Sequence, residues 1–158
     1  MIDLEGDSLD NQGTYGHAVK DSGVEGLDMV VTGPDGEALD LPLVDGKRKG
    51  IGMHSYCSVT YDIAGKGYSR FESWVGANHL KEYNNSMIFK VYFDNETEPR
   101  YTSPAMSYLV PAEFVSLDLT GVRTIRLELD SNGSINGDHG NWADAKFLKY
   151  DEIPEETG

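Results

Sequence analysis

The chain has 158 residues, enough for one domain whose core hides about two-thirds of the surface an unfolded chain exposes. Its 27 Asp and Glu outnumber 13 Lys and Arg, a formal charge of −14. Such a surface repels phosphate backbones and anionic lipid, which excludes nucleic acid and membrane as expected partners, and no apolar run approaches membrane-spanning length.

The opening "MIDLEGDSLDNQ" lacks the basic, apolar pattern of a secretion signal. The segments "LDMVVTG" and "ALDLPLVDG" read as strands around the turn "GPDG", and "GIGMHSY" opens another. In "CSVTYDI" the apolar positions Cys57, Val59, Tyr61 and Ile63 alternate with Ser58, Thr60 and Asp62. Cys57 is the lone cysteine, which excludes a disulfide framework and a cysteine metal cluster. After the turn "AGKG", "YSRFESWVGAN" puts Phe71, Ser73, Val75 and Ala77 on one face and Arg70, Glu72, Trp74 and Asn78 on the other. "MIFKVYFD" turns Met87, Phe89, Val91 and Phe93 inward, and a short helix is expected in "SPAMSYLVPAEF", limited by Pro104 and Pro111. "EFVSLDLTG" buries Val115, Leu117 and Leu119, and "VRTIRLELD" buries Ile125, Leu127 and Leu129. The last strand, "WADAKFLKY", sets Ala143, Ala145 and Phe147 against Trp142, Asp144, Lys146 and Leu148. Outward parity makes Arg70 and Asp144 a candidate ion pair across the sheet. The acidic tail 149–158, "KYDEIPEETG", reads as a linker after a single domain of residues 1–148.

Strands with one apolar face and frequent turns predict an all-β fold, an antiparallel β-sandwich or jelly roll. Strand direction then gathers loops. If "GIGMHSY" and "VGANH" belong to adjacent antiparallel strands, His54 and Asn78 lie at one end of the sheet. The loop "DSNGSINGDHGNWADA" adds its far end there. One rim would then hold His54, Tyr56, Asn78, His79, Asp138, His139, Asn141 and Trp142.

The oxygens of Asp130, Asn132, Ser134, Asn136 and Asp138 resemble the front half of a calcium loop. Ile135 stands where the sharp turn needs Gly, and Asn141 where a bidentate Glu would close the site. Asp130, Asn132 and Asp138 are thus weak metal candidates. A plain polar hairpin is the competing reading. The histidines lack zinc spacings such as HExxH. No GxSxG nucleophile turn is present, and no carboxylate pair stands out among so many acids. The rim offers amides, imidazoles, carboxylates and an aromatic ring. Sugars need that mixture, because their hydroxyls take bidentate partners and their C–H faces pack on rings. The other reading of Trp142 is a core tryptophan, and of His54 and His139 a structural hydrogen bond.

The stretches "KGIGMHSYCSVTYDIAGKGYSRFESWVGANH", "FKVYFDN" and "VSLDLTGVRTIRLELDSNGSINGDHGNWADAKF" resemble the NPCBM domain, carbohydrate-binding module family 51. The match runs over residues 40–148, and its motif positions are Lys49, Gly50, His54, Arg70, Phe71, Gly76, Asp138, His139, Trp142 and Asp144. The resemblance implies a galactose-binding-domain-like sandwich without catalytic residues. It implies a module that carries a secreted or cell-surface bacterial glycoside hydrolase, or a related enzyme, to galactose-containing glycans. The partners it implies are a terminal galactose and a catalytic domain of the same polypeptide, with the module itself monomeric. No cofactor is required, though domains on this scaffold often hold a structural calcium. The family usually carries an acidic residue after "VG", where this chain has Asn78 and His79. The alternative function is a structural or protein-interaction sandwich that orients a neighbouring enzyme domain without binding sugar.

Overall fold

The computed structural model describes residues 8–13, 19–20, 30–39, 41, 43–44, 47–48, 50–54, 57–79, 86–107, 110–131 and 139–149. They form two antiparallel five-stranded sheets packed face to face. The first sheet runs, in spatial order, β1 (Ser8–Gly13), β6 (Cys57–Asp62), β11 (Thr124–Ser131), β8 (Met87–Phe93) and β9 (Tyr101–Thr102). The second runs β10 (Glu113–Asp118), β7 (Tyr68–Ala77), β12 (His139–Lys149), β5 (Gly50–His54) and β2 (Val19–Lys20). A separate ribbon pairs β3 (Leu43–Val44) with β4 (Lys47–Arg48). This is the expected all-β sandwich.

The core follows from period two. Val59 and Tyr61 on β6, Phe89 and Val91 on β8, and Ile125, Leu127 and Leu129 on β11 are all sealed from water. Across the gap they meet Phe71 and Val75 on β7 and Ile51 and Met53 on β5. Phe147 centres an aromatic group, edge-on to Tyr61 at 5.5 Å and stacked on Tyr68 at 5.1 Å. Gly140 lets the sheets approach at one end of β12, since a Cβ there would lie 2.7 Å from Leu129 Cδ2 and 2.9 Å from Phe89 Cζ. A smaller apolar cluster of Val31, Leu41 and Ala143, flanked by Leu39, Trp74 and Ala112, lies on the outer face of the second sheet.

Simple alternation fails along β12. Trp142 belongs to the main core and Ala143 to the outer cluster, the reverse of the expected parity. Ala145 and Phe147 then face the main core as expected. The cause is a bulge. The register with β7 shifts between Ala143, opposite Trp74, and Lys146, opposite Glu72, and Asp144 takes a left-handed φ of 54°. One extra residue in a strand inverts the facing of everything on one side of it. The expected Arg70–Asp144 pair is likewise absent. Arg70 lies in register with Leu148 and donates from Nη1 to Ser116 Oγ at 2.9 Å, while Asp144 sits 3.6 Å from Lys146. No helix occurs among the described residues of 103–114. Met106 is instead buried and exchanges backbone hydrogen bonds with Met87 at 2.7 and 2.9 Å.

Candidate functional site

The expected adjacency of the His54 and Asn78 strands is not found. Instead, β12 lies between β5 and β7 and pairs antiparallel with both, so those two run parallel and end where β12 begins. His54 closes β5 and stands in register with His139, which opens β12. Their imidazoles meet at 5.3 Å between centroids, tilted by 64°. On the other side of β12, the backbone N–H of Asn78 donates to the His139 carbonyl at 2.8 Å, just past the end of β7. His54, Asn78, His79 and His139 therefore share one end of the second sheet.

A segment that alternation alone did not place completes this end. Residues 30–39 fold back as a hairpin, with Leu39 N donating to Val31 O at 2.8 Å and Gly33 N to Glu37 O at 2.7 Å. Val31 bridges Asn78, and His79 N donates to Val30 O at 2.8 Å. Thr32 Oγ1 and His79 Nδ1 share a 2.9 Å hydrogen bond, and Asn141 Nδ2 donates to Val30 O at 3.2 Å. Thr32 is the polar residue that the sequence reading missed. The turn "GPDG" marks the hairpin, but nothing local marks its docking onto residue 78.

Burial separates the candidates. His54 and His79 are half-buried and reach solvent. Asn78, His139 and Asn141 are enclosed, so they frame this end rather than offer it. Among the described residues Asn141 Oδ1 has no hydrogen-bond partner, which leaves a buried acceptor beneath the histidines. Tyr56 and Asp138 lie outside the described residues.

Trp142 does not belong to the rim. Its relative exposure is 0 %, it packs edge-on against Phe89 at 5.2 Å and tilted on Phe71 at 6.2 Å, and its Nε1 donates to Met53 Sδ at 3.3 Å. The indole is a core residue because the bulge after Ala143 turns this end of β12 over. The expected sugar platform at Trp142 is therefore corrected.

Among the described residues no three His, Cys, Asp or Glu side chains are placed to hold a metal ion. Asp130 Oδ2 pairs with Lys90 Nζ at 2.8 Å, while Asn132 and Asp138 lie outside the described residues. Two residues earlier on the same face of β11, burial pushes the Glu128 carboxyl above its ordinary range, the Asp130 charge adds to this, and Arg126 opposes it. At the opposite end of the sandwich, Asp94, Asn95, Glu96, Arg123 and Thr124 line an open depression. Its acids are spoken for: Asp94 Oδ1 accepts from Arg123 N at 2.7 Å and Thr124 N at 3.0 Å, and Glu96 holds Arg100 through two hydrogen bonds.

The NPCBM/NEW2 domain family matches residues 3–148. The chain belongs to that family. This NPCBM domain is similar to the solved CBM51 from Clostridium perfringens GH95 in complex with methyl-galactose. The two are 29% identical, with a TM-score of 0.82, over 93% of this chain and 99% of that one. A C. perfringens ZmpB structure of CBM51-2 in complex with GlcNAc and INT domains is 29% identical, with a TM-score of 0.79, over 92% of this chain and 30% of that one. A Renibacterium salmoninarum protein named for endo-alpha-N-acetylgalactosaminidase activity is 31% identical over 101 residues, 63% of this chain. The chain spans only 6% of that relative's length. The NPCBM domain is thus a carbohydrate-binding-module sandwich of a kind attached to glycan-active enzymes.

Proposed function

We propose that this NPCBM domain is a non-catalytic module that binds galactose-containing glycan ends where β5, β7 and β12 terminate. The observation that carries this reading is the register pair His54–His139 beside Asn78, which sets two imidazoles and an amide at one tip of a family-51-like sandwich. The half-buried His54 and His79 are placed to meet sugar hydroxyls; His79 Nδ1 is already bonded to Thr32 Oγ1 at 2.9 Å, so that ring would reach a hydroxyl through Nε2. The enclosed His139, Asn78 and Asn141 fix the strand ends, so little order is lost when sugar binds. Tyr56 and Asp138 adjoin this tip in sequence and are proposed to complete the site with an aromatic face and a carboxylate acceptor.

Such a shallow site competes with water for every hydroxyl. Its dissociation constant should lie in the micromolar to millimolar range, about 4 to 8 kcal/mol of binding. Tethering to a catalytic domain turns that weak contact into a high local enzyme concentration on a secreted or cell-surface protein. No cofactor is required in this reading, and a structural calcium, for which Asp130, Asn132 and Asp138 are weak candidates, is tested by adding chelator.

Glycan arrays and calorimetry with methyl-galactoside and N-acetylglucosamine, each with and without chelator, test the reading. Galactose-type signal that disappears in His54→Ala with the fold retained supports it. A blank array would favour a module that orients its neighbour without binding sugar.

A further inference from the structure

The outer face of the second sheet carries a constellation that the tip does not use. Along β7, Arg70, Glu72 and Trp74 point away from the core, and their register partners on β10 are Asp118, Ser116 and Phe114. The first rung is aromatic: Phe114 meets Trp74 edge-on at 5.2 Å. Phe114 is 48% exposed and stands out as the exposed large apolar side chain among the described residues. The next rungs are polar and already joined. Arg70 Nη1 donates to Ser116 Oγ at 2.9 Å, and that hydroxyl donates to Glu72 Oε2 at 3.2 Å.

We propose that this ladder is a second carbohydrate site, which takes a neutral polysaccharide chain lying along β7 and β10. Three properties select that occupant. An aromatic ring beside fixed hydroxyl, guanidinium and carboxylate groups matches a sugar's apolar face and its equatorial hydroxyls. A ring pair backed by charged side chains is far smaller than the apolar area a stable protein partner would cover. The acids of the ladder itself, Glu72 and Asp118, repel sulfated or uronic-acid chains, as does the formal charge of −14. Rungs on one strand face lie about 7 Å apart, so the ladder offers a track along the sheet rather than a pocket for one sugar end. The tip and this face would then grip the end and the body of a glycan separately.

Affinity electrophoresis in glucomannan and hydroxyethyl-cellulose gels, neutral chains without galactose, together with calorimetry on methyl-galactoside, tests this with the intact domain and the variants Phe114→Ala and His54→Ala. The ladder predicts that Phe114→Ala weakens gel retardation by about three- to tenfold while methyl-galactoside binding is unchanged. His54→Ala should lose methyl-galactoside and keep retardation, so failure of the tip and failure of the face are separately visible. The Trp74 indole N–H resonance of the unmodified domain should shift on addition of either polysaccharide, a readout that needs no variant to fold. Unchanged retardation of Phe114→Ala, a silent Trp74 resonance, or a dimer that Phe114→Ala dissolves would each overturn the proposal.

Discussion

Replacing Trp142 with alanine separates a core indole from a sugar-stacking one. The side chain is wholly enclosed, between Phe71 and Phe89 with Met53 at its ring nitrogen. Burying a tryptophan removes about 150–250 Å² from water, worth about 4–6 kcal/mol at 25 cal/mol per Å². Partial collapse of the cavity brings the expected cost of Trp142→Ala to about 3–5 kcal/mol. For a domain of this size each kcal/mol moves the midpoint by about 2–4 °C, so melting should fall by about 6–20 °C. Differential scanning calorimetry measures that fall. Titration with methyl-galactoside well below the new midpoint should return an affinity close to that of the parent. A variant that melts where the parent does, yet has lost sugar, would show that the indole faces ligand and that the bulge assignment is wrong.

The remaining predictions concern packing and charge. Gly140→Ala forces a methyl group to within 2.7 Å of Leu129 and 2.9 Å of Phe89, and chemical denaturation should show a loss of about 1–3 kcal/mol. Glu128 carries a carboxyl pushed up first by burial and then by the Asp130 charge, so the folded state holds its proton more tightly than the unfolded chain does. Its contribution therefore worsens as pH rises from the usual glutamate range through the raised folded value. Glu128→Gln should be the more stable protein at neutral pH and match the parent in acid below that range, as read by melting curves across pH. Equal melting of the two at neutral pH would refute the assignment.

Much of the sandwich was legible because one face of each strand is dry. Alternation through Cys57–Ile63, Phe71–Ala77, Met87–Phe93 and Ile125–Leu129 identifies the side chains that are buried. The meeting of His54 and Asn78 was expected from adjacent antiparallel strands. Instead β12 lies between β5 and β7, which run parallel, so the residues meet because both strands end where β12 begins. Two further features did not follow. Nothing in "WADAK" announces that Asp144 adopts a left-handed backbone, so Trp142 and Ala143 exchanged faces. Docking of the 30–39 hairpin onto Asn78 is set by contacts between residues far apart in the chain, and local pattern carries no signal for it. The same limit hid Thr32, whose hydroxyl meets His79. Resemblance supplied the sugar, whereas geometry decided which of the named side chains can reach it.

The most direct test of a tip-binding module is an amide chemical-shift titration with methyl-galactoside. The largest shifts should fall on residues 54, 78–79 and 139–141, with the indole of Trp142 moving little. Shifts concentrated at the far end of the sandwich, on residues 94–96 and 123–124, would contradict it.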